Sequence, residues 1–295
     1  MTAPAAPAAP AARAGTPHPA GPPIPVRPGR GGWGWTLAAW ALGAALLLPF
    51  VPLVLASVAD GYFHPQVLPE RLSLRAWSLV LAPGSASWAA LGDTILVAVL
   101  VTVVSLLLAV PAGRVLGTRR FRGRRAVEVV LLLPVLVPTI AVAIGIHVVF
   151  LRLGLDGGRT GVVLVHLIPA TPYVALLSAG VFANLDVELE SQARSLGARW
   201  WQVLWHVTTP LVAPGLMVAA LLGFLVSWGQ YALTLVIGGG QVVTLPILLF
   251  AAASGGDLSV TAATALFHGL PAVALLVVAS RVLGAAPNLA LGATR

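Results

Sequence analysis

Long stretches of this chain carry no charged residue at all. They cover 33–58, 94–113, 129–151, 161–185, 211–237 and 258–280. A helix needs roughly 20 apolar residues to cross the hydrocarbon of a bilayer, so each stretch is long enough to span it. Their apolarity is continuous, whereas the strands of an outer-membrane barrel alternate apolar and polar positions, and soluble strands are shorter. The pattern therefore predicts an all-α membrane protein with six transmembrane helices. A seventh apolar segment, 242–253, is too short to span and lies between "IGGG" and "SGG". It reads as an interfacial or re-entrant piece on the outer side.

The segment before the first span, 1–32, is rich in Pro, Ala and Gly and reads as a disordered tail. The first span runs about twice the length of a signal-peptide core and begins late, so it reads as a retained anchor despite the small residues "ASVAD" at 56–60. The chain is organised as that tail, the first helix 33–58, and a core domain over 85–284.

Between the fourth and fifth runs the pattern changes. The stretch "LDVELESQARSLGARWWQVLWHVTTP", 185–210, is amphipathic and charged while its neighbours are not. From an N-cap at Asp186, Leu189, Ala193 and Leu196 fall at i, i+4 and i+7 on one stripe of a helix. Glu190 and Arg194 pair at i, i+4, and the acids Glu188 and Glu190 suit the positive end of the helix dipole. Gly197 stands where a left-handed residue ends a helix. A second short helix with Trp200, Leu204 and Val207 on one face then reaches Pro210, which opens the fifth span. Two readings stand side by side: a connector lying in the headgroup layer with its tryptophans as anchors, and a surface built to receive another protein.

Composition sharpens this. The chain of 295 residues is 58% hydrophobic and 9% charged, with a mean hydropathy of +0.95. It has no cysteine, which excludes disulfides, thiolate chemistry and Cys-based metal sites. Every basic residue is Arg, so a P-loop lysine is absent and any ATP used must be bound by another chain. The net charge of +8 does not point to nucleic acid, because the arginines sit in short loops where they set orientation in the bilayer. One side carries Arg13, Arg27, Arg30, Arg114, Arg119, Arg120, Arg122, Arg124, Arg125, Arg194, Arg199, Arg281 and Arg295. The other carries only Arg71, Arg75, Arg152 and Arg159. The positive-inside rule therefore places both termini and the 185–210 stretch in the cytoplasm.

The stretch "ESQARSLGARWWQVLWHVTTPLVAPG" resembles the EAA loop of permease subunits of binding-protein-dependent ABC importers, whose pattern is E-A-A, three residues, G, nine residues, I-x-L-P. Ser191, Gln192 and Ala193 fall on E-A-A, Gly197 on the glycine, Val207 on I, Thr209 on L and Pro210 on P. The family's acid is Ser191 here, with Glu190 one place earlier. "LGDTILVAVLVTVVSLLLAVPAG" is similar to the family's second span, and "LLLPVLVPTIAVAIGI" to its third, with Pro134 and Pro138 as kinks.

The resemblance implies a type I ABC importer permease fold in the bacterial cytoplasmic membrane, with no catalytic residue and no cofactor in this chain. ATP and Mg are held by partner ATPase subunits. It also implies a second permease subunit and an extracytoplasmic solute-binding protein. Glu190, Ser191, Gln192, Ala193, Leu196, Gly197 and Pro210 then form the ATPase-coupling loop. "SWGQYALTLVIGGGQVVTLPILLF" is similar to permeases for polyamines, ferric iron, thiamine or phosphonates, with a lean to a polyamine-like solute.

Polar groups inside the runs are candidates for the solute path, because ionisable side chains at depth are costly. Asp93 sits at the outer end of span two, where an N-cap is the simpler role. Ser227, Gln230, Tyr231 and Thr234 share a helical face in span five. His147, His166 and His268 lack a ligand partner at i+3 or i+4 and read as hydrogen-bonded rather than metal-binding. Two rivals compete. Ser178 with His268 invites comparison with an intramembrane serine protease, but no G-x-S surrounds the serine. Prolines 134, 138, 169 and 172 would suit the broken helices of an ion-driven secondary transporter, but no acid lies deep in a span.

Overall fold

The structure is a computed structural model and describes residues 33–60, 69 and 71–285. The tail expected over 1–32 lies outside the described residues. The chain divides into two compact units, up to Leu48 and from Pro49 onward. In the first, α1 (Trp33–Leu47) carries no charged residue and has no buried residue.

The second unit begins with α2 (Phe50–Ser57). The run expected as one helix over 33–58 is therefore interrupted. Pro49 and Pro52 each lack the N–H that would continue the ladder to the residue four back. A two-residue antiparallel pair, β1 (Ala59–Asp60) with β2 (Arg71–Leu72), is the one departure from all-α structure among the described residues. Then follow α3 (Arg75–Leu81) and α4 (Ala86–Thr118).

The 33 residues of α4 give a rod of about 50 Å at 1.5 Å per residue, well beyond the ~30 Å hydrocarbon core. Both ends therefore reach into the polar zones, and they carry the residues that matter below.

The third run is sharply broken rather than kinked. It forms α5 (Arg124–Leu136) and α6 (Thr139–Arg152), bent by 98°. Val137 is extended, with φ −84° and ψ 134°, because the ring of Pro138 disfavours helical backbone in the residue before it. By contrast, α7 (Arg159–Ala183) runs through Pro169 and Pro172 without interruption.

The connector forms α8 (Val187–Ser195) and α9 (Trp200–Val203). A π turn over Leu204–Thr208 joins α9 directly to α10 (Thr209–Trp228). The second short helix is thus continuous with the fifth span, which the sequence pattern had opened at Pro210. The wider π turn lies just before Pro210, which has no N–H to give. The fifth run also ends early, at Trp228. A break at Gly229–Tyr231 precedes α11 (Ala232–Ile237), then α12 (Leu245–Ser254) and α13 (Leu258–Ala285). Among the described residues, four helices are long and apolar enough to cross a membrane unbroken, and up to six crossings result if each broken pair counts as one.

The tightest packing joins α4 to α7. A Cβ added at Gly113 would lie 2.5 Å from the Cβ of Ser178, and one at Gly117 2.5 Å from the carbonyl oxygen of Ala179. Glycines four apart let two helix backbones approach closely, which in lipid is a main source of helix association. The core continues through Ala109, Val174, Ala175 and Ala219, where α10 joins. Toward the N-terminal end of α4, Thr94 accepts from the backbone N–H of Leu245 at 2.8 Å and fixes the start of α12. Nearby, Arg75 and Asp257 pair at 2.6 Å, linking α3 to the start of α13. The Arg75 hydrogen bond holds the Asp257 carboxyl below its usual range.

Candidate functional site: the connector between α7 and α10

Sequence forms the connector locally. The Asp186 side chain accepts from the backbone N–H of Glu188 at 2.9 Å and starts α8. At the other end, Gly197 donates to the Arg194 carbonyl at 2.9 Å and Ala198 to the Ala193 carbonyl at 3.1 Å. This pair of bonds is a Schellman termination, and it needs a left-handed residue. Gly197 supplies it with φ +90°. The backbone N–H of Arg199 then donates to the Gln202 side chain at 2.8 Å and starts α9.

The two helices divide their residues between two roles. Leu196 is 89% exposed, Trp200 73% and Trp205 66%, so the turn presents a bare apolar edge. Ser191 and Gln192 are exposed beside it, and Ala193 is half-buried. Glu190 points the other way and is only 5% exposed. Nη2 of Arg114 donates to both its carboxylate oxygens, at 2.9 and 2.8 Å. The buried hydroxyl of Thr208 donates to Oε1 at 2.6 Å. Arg194, the partner expected from spacing, stands off at 3.8 Å. The Arg114 guanidinium also lies 5.9 Å from the ring centre of Phe182 on α7. One carboxylate on α8 thus joins α4 and the π turn at the root of α10. Ser191 bonds its hydroxyl back to the Glu188 carbonyl instead.

The polar groups in the spans do not assemble as one stripe. Ser227 and Thr234 both turn to His166, whose Nδ1 is 2.9 Å from the Ser227 hydroxyl and whose Nε2 is 2.9 Å from that of Thr234. His166 on α7 thereby clamps the end of α10 to the start of α11 across the break. Gln230 and Tyr231 lie in the break and are half-buried. The Tyr231 ring packs against Phe250 at 4.5 Å between centres. Asp93 is not an N-cap. It lies inside α4, which starts after Ser85, and pairs with Arg159 at 2.8 Å. His147 bonds Asp156 at 3.0 Å, and the His268 ring stacks on Trp228.

A model of the binding-protein-dependent transport system inner membrane component family matches residues 109–286, a stretch that contains the whole connector. The chain belongs to that family. It is 32% identical over 191 residues to the molybdenum transport system permease protein ModB of Mycobacterium tuberculosis, covering 60% of this chain and 72% of that one. A Salmonella typhimurium permease assigned to 2-aminoethylphosphonate transport is 29% identical, over 75% of this chain and 85% of its own. The diacetylchitobiose uptake permease DasC of Streptomyces coelicolor is 28% identical, over 66% and 71%. Among solved structures, a chain of a bacterial ABC transporter that imports alginate matches with a TM-score of 0.65 at 21% identity, over 88% of this chain and 99% of that one. A chain of the same kind of transporter, in complex with an alginate pentasaccharide-bound periplasmic protein, matches with a TM-score of 0.59 at 14% identity, over 84% and 94%.

The permease is therefore a non-catalytic, multi-pass membrane subunit of an ABC importer, with the type I permease fold. The serine-protease reading fails on geometry as well. Ser178 is fully buried against α4 and its hydroxyl has no hydrogen-bond partner. Spacing within the connector did not reveal Arg114, Thr208 or Phe182. The one available signal was the isolated Arg114 directly after the charge-free second run.

Proposed function

We propose that this permease lines the solute path across the cytoplasmic membrane and docks through its 185–210 connector onto a separate ATPase subunit that binds ATP and Mg. Both termini and the connector lie in the cytoplasm in this reading. Leu196, Gly197, Ser191, Gln192 and Ala193 belong to the docking side, while Glu190 holds the connector to the spans and Pro210 follows the π turn. The observation that carries the reading is the pairing of a bare apolar edge at Leu196 with a buried Glu190–Arg114 bond behind it. A passive connector in the headgroups needs no such bond to the spans, whereas a lever does. A second permease subunit and an extracytoplasmic solute-binding protein complete the assembly. The periplasmic protein seen with the alginate transporter supports the latter.

The orientation is tested by labelling. The chain has no cysteine, so Arg122→Cys and Arg152→Cys each create a single reactive thiol. Membrane-impermeant reagent is expected to reach position 152 from outside intact cells and position 122 only after the membrane is opened. Labelling of both from the same side would overturn the topology.

For the solute, a polyamine-like cation meets a physical objection. The carboxylate of Asp93 is paired with the Arg159 guanidinium, and that of Asp156 shares a hydrogen bond with His147, so neither offers a polycation a free carboxylate. The relatives that transport molybdenum, 2-aminoethylphosphonate and diacetylchitobiose support a broader class of small polar solutes. Gln230 and Tyr231, at the break in the fifth run, are the neutral groups best placed to meet one, while Asp93 and Ser227 are held by Arg159 and His166. Gln230→Leu and Tyr231→Leu are expected to raise the KM for uptake several-fold with assembly intact. Unchanged uptake kinetics in both would remove these residues from the path.

A further inference from the structure

A cleft of about 410 Å3 opens between the inner end of α4 and α8, with Arg114, Thr118, Arg119, Val187, Glu190 and Arg194 among its lining residues. Three guanidinium groups face one carboxylate there, which leaves a surplus of two positive charges. Arg114 is committed to Glu190 at 2.8 Å. Arg194 lies 3.8 Å from the same carboxylate, and Arg119 makes no ion pair among the described residues. Val187, Glu190 and Arg194 are spaced by three and four, so they share a face of α8 turned away from Leu189 and Leu196. The cleft is therefore separate from the exposed apolar edge, and a ligand in it would sit behind α8 and against α4.

We infer that this cleft binds a phosphate-bearing anion, supplied either by the headgroup of an anionic phospholipid or by free phosphate. Guanidinium groups present flat, forked donors that match phosphate oxygens. The cleft lies at the C-terminal end of α4, a helix longer than the hydrocarbon is thick, and so at the cytoplasmic membrane surface in the orientation proposed above. Basic pockets at that level on the cytoplasmic side attract anionic headgroups. Val115 and Leu185 add an apolar wall suited to the glycerol end of a lipid. A bound anion would bridge Arg119 on α4 side to Arg194 on α8, reinforcing the bond that Glu190 makes. The inference rests on the cytoplasmic placement of the connector proposed above.

The test uses the full-length chain purified with the subunits it carries, in phosphatidylcholine nanodiscs with and without phosphatidylglycerol. Lipid retained after detergent extraction is measured by native mass spectrometry. Phosphatidylglycerol is expected to be retained in preference to phosphatidylcholine. Arg119→Gln with Arg194→Gln should weaken retention roughly fivefold per arginine, about 25-fold together, while Arg281→Gln leaves it unchanged. Arg119→Gln alone guards against misfolding, since it removes no ion pair. In a second arm, inorganic phosphate is added to lipid-free protein in detergent. A rise in thermal midpoint that the double variant lacks would assign the site to free phosphate. Equal lipid retention in parent and double variant, with no phosphate response specific to the parent, would overturn the inference. Neither readout depends on transport or ATP hydrolysis, and the labelling experiment above fails independently if the orientation is wrong.

Discussion

Gly197→Val is expected to leave a membrane-inserted permease that no longer couples ATP hydrolysis to uptake. Gly197 has φ +90° and closes α8 through the bonds to Arg194 and Ala193. A side chain in left-handed backbone costs ~1–2 kcal/mol, more for a β-branched residue. No atom lies within 4 Å of the position a Cβ would take, so the damage is to the turn and not to packing around it. The turn sets the angle between α8 and α9, and with it the relation of Leu196 to Trp200. The spans have their own apolar support and insert regardless. Leu196→Asp probes the same surface by charge. The residue is 89% exposed, so the free subunit tolerates the change. In a dry interface an unpaired carboxylate is strongly unfavourable, with an expected loss on the order of 100-fold in affinity for the ATPase. Co-purification and solute-stimulated ATPase activity read both effects. Normal association and coupling in both variants would reduce the connector to an interfacial helix.

The second large effect is expected behind that surface. Glu190→Leu strands the Arg114 guanidinium and takes from the buried Thr208 hydroxyl its acceptor. Breaking a buried pair from one side costs ~3–5 kcal/mol, and the low end applies because the Arg114 side chain is 35% exposed. Arg114→Leu alone leaves a buried carboxylate and is expected to be at least as harmful. The double variant Glu190→Leu with Arg114→Leu should recover much of the stability, since paired removal of buried charges is often nearly neutral. It should not recover transport, because α8 is then no longer bonded to α4. Thermal inactivation and uptake in proteoliposomes separate the two effects. Full uptake in a stable double variant would show that the bond only braces the fold.

Local sequence signals were sufficient for parts of this structure. The charge-free runs marked α4, α7, α10 and α13, the short run at 242–253 marked α12, and Asp186 and Gly197 marked the ends of α8. Each of these depends on apolar length or on bonds within one turn of helix. What was not legible depends on residues far apart in the chain. Spacing pairs Glu190 with Arg194, which lies 3.8 Å from its carboxylate, but does not show the closer bonds from Arg114 on α4 and from Thr208. Spacing put Ser227 and Thr234 on one face of the fifth run but could not show that His166, from another helix, bonds both. Asp93 looked like a helix start because α4 begins further back, at Ala86, with residues less apolar than the run after it. Pro138 announced a kink, but the spacing of prolines does not give the size of a bend, which is 98° between α5 and α6.

The central claim is that the turn at Leu196 touches the ATPase. Because the chain is free of cysteine, Leu196→Cys provides a single thiol at that point, and a short thiol-to-amine cross-linker can report its neighbour in native membranes. A covalent adduct with the ATPase subunit is expected from position 196 and not from Arg152→Cys. Absence of that adduct from position 196, or equal adduct from both positions, would contradict the account.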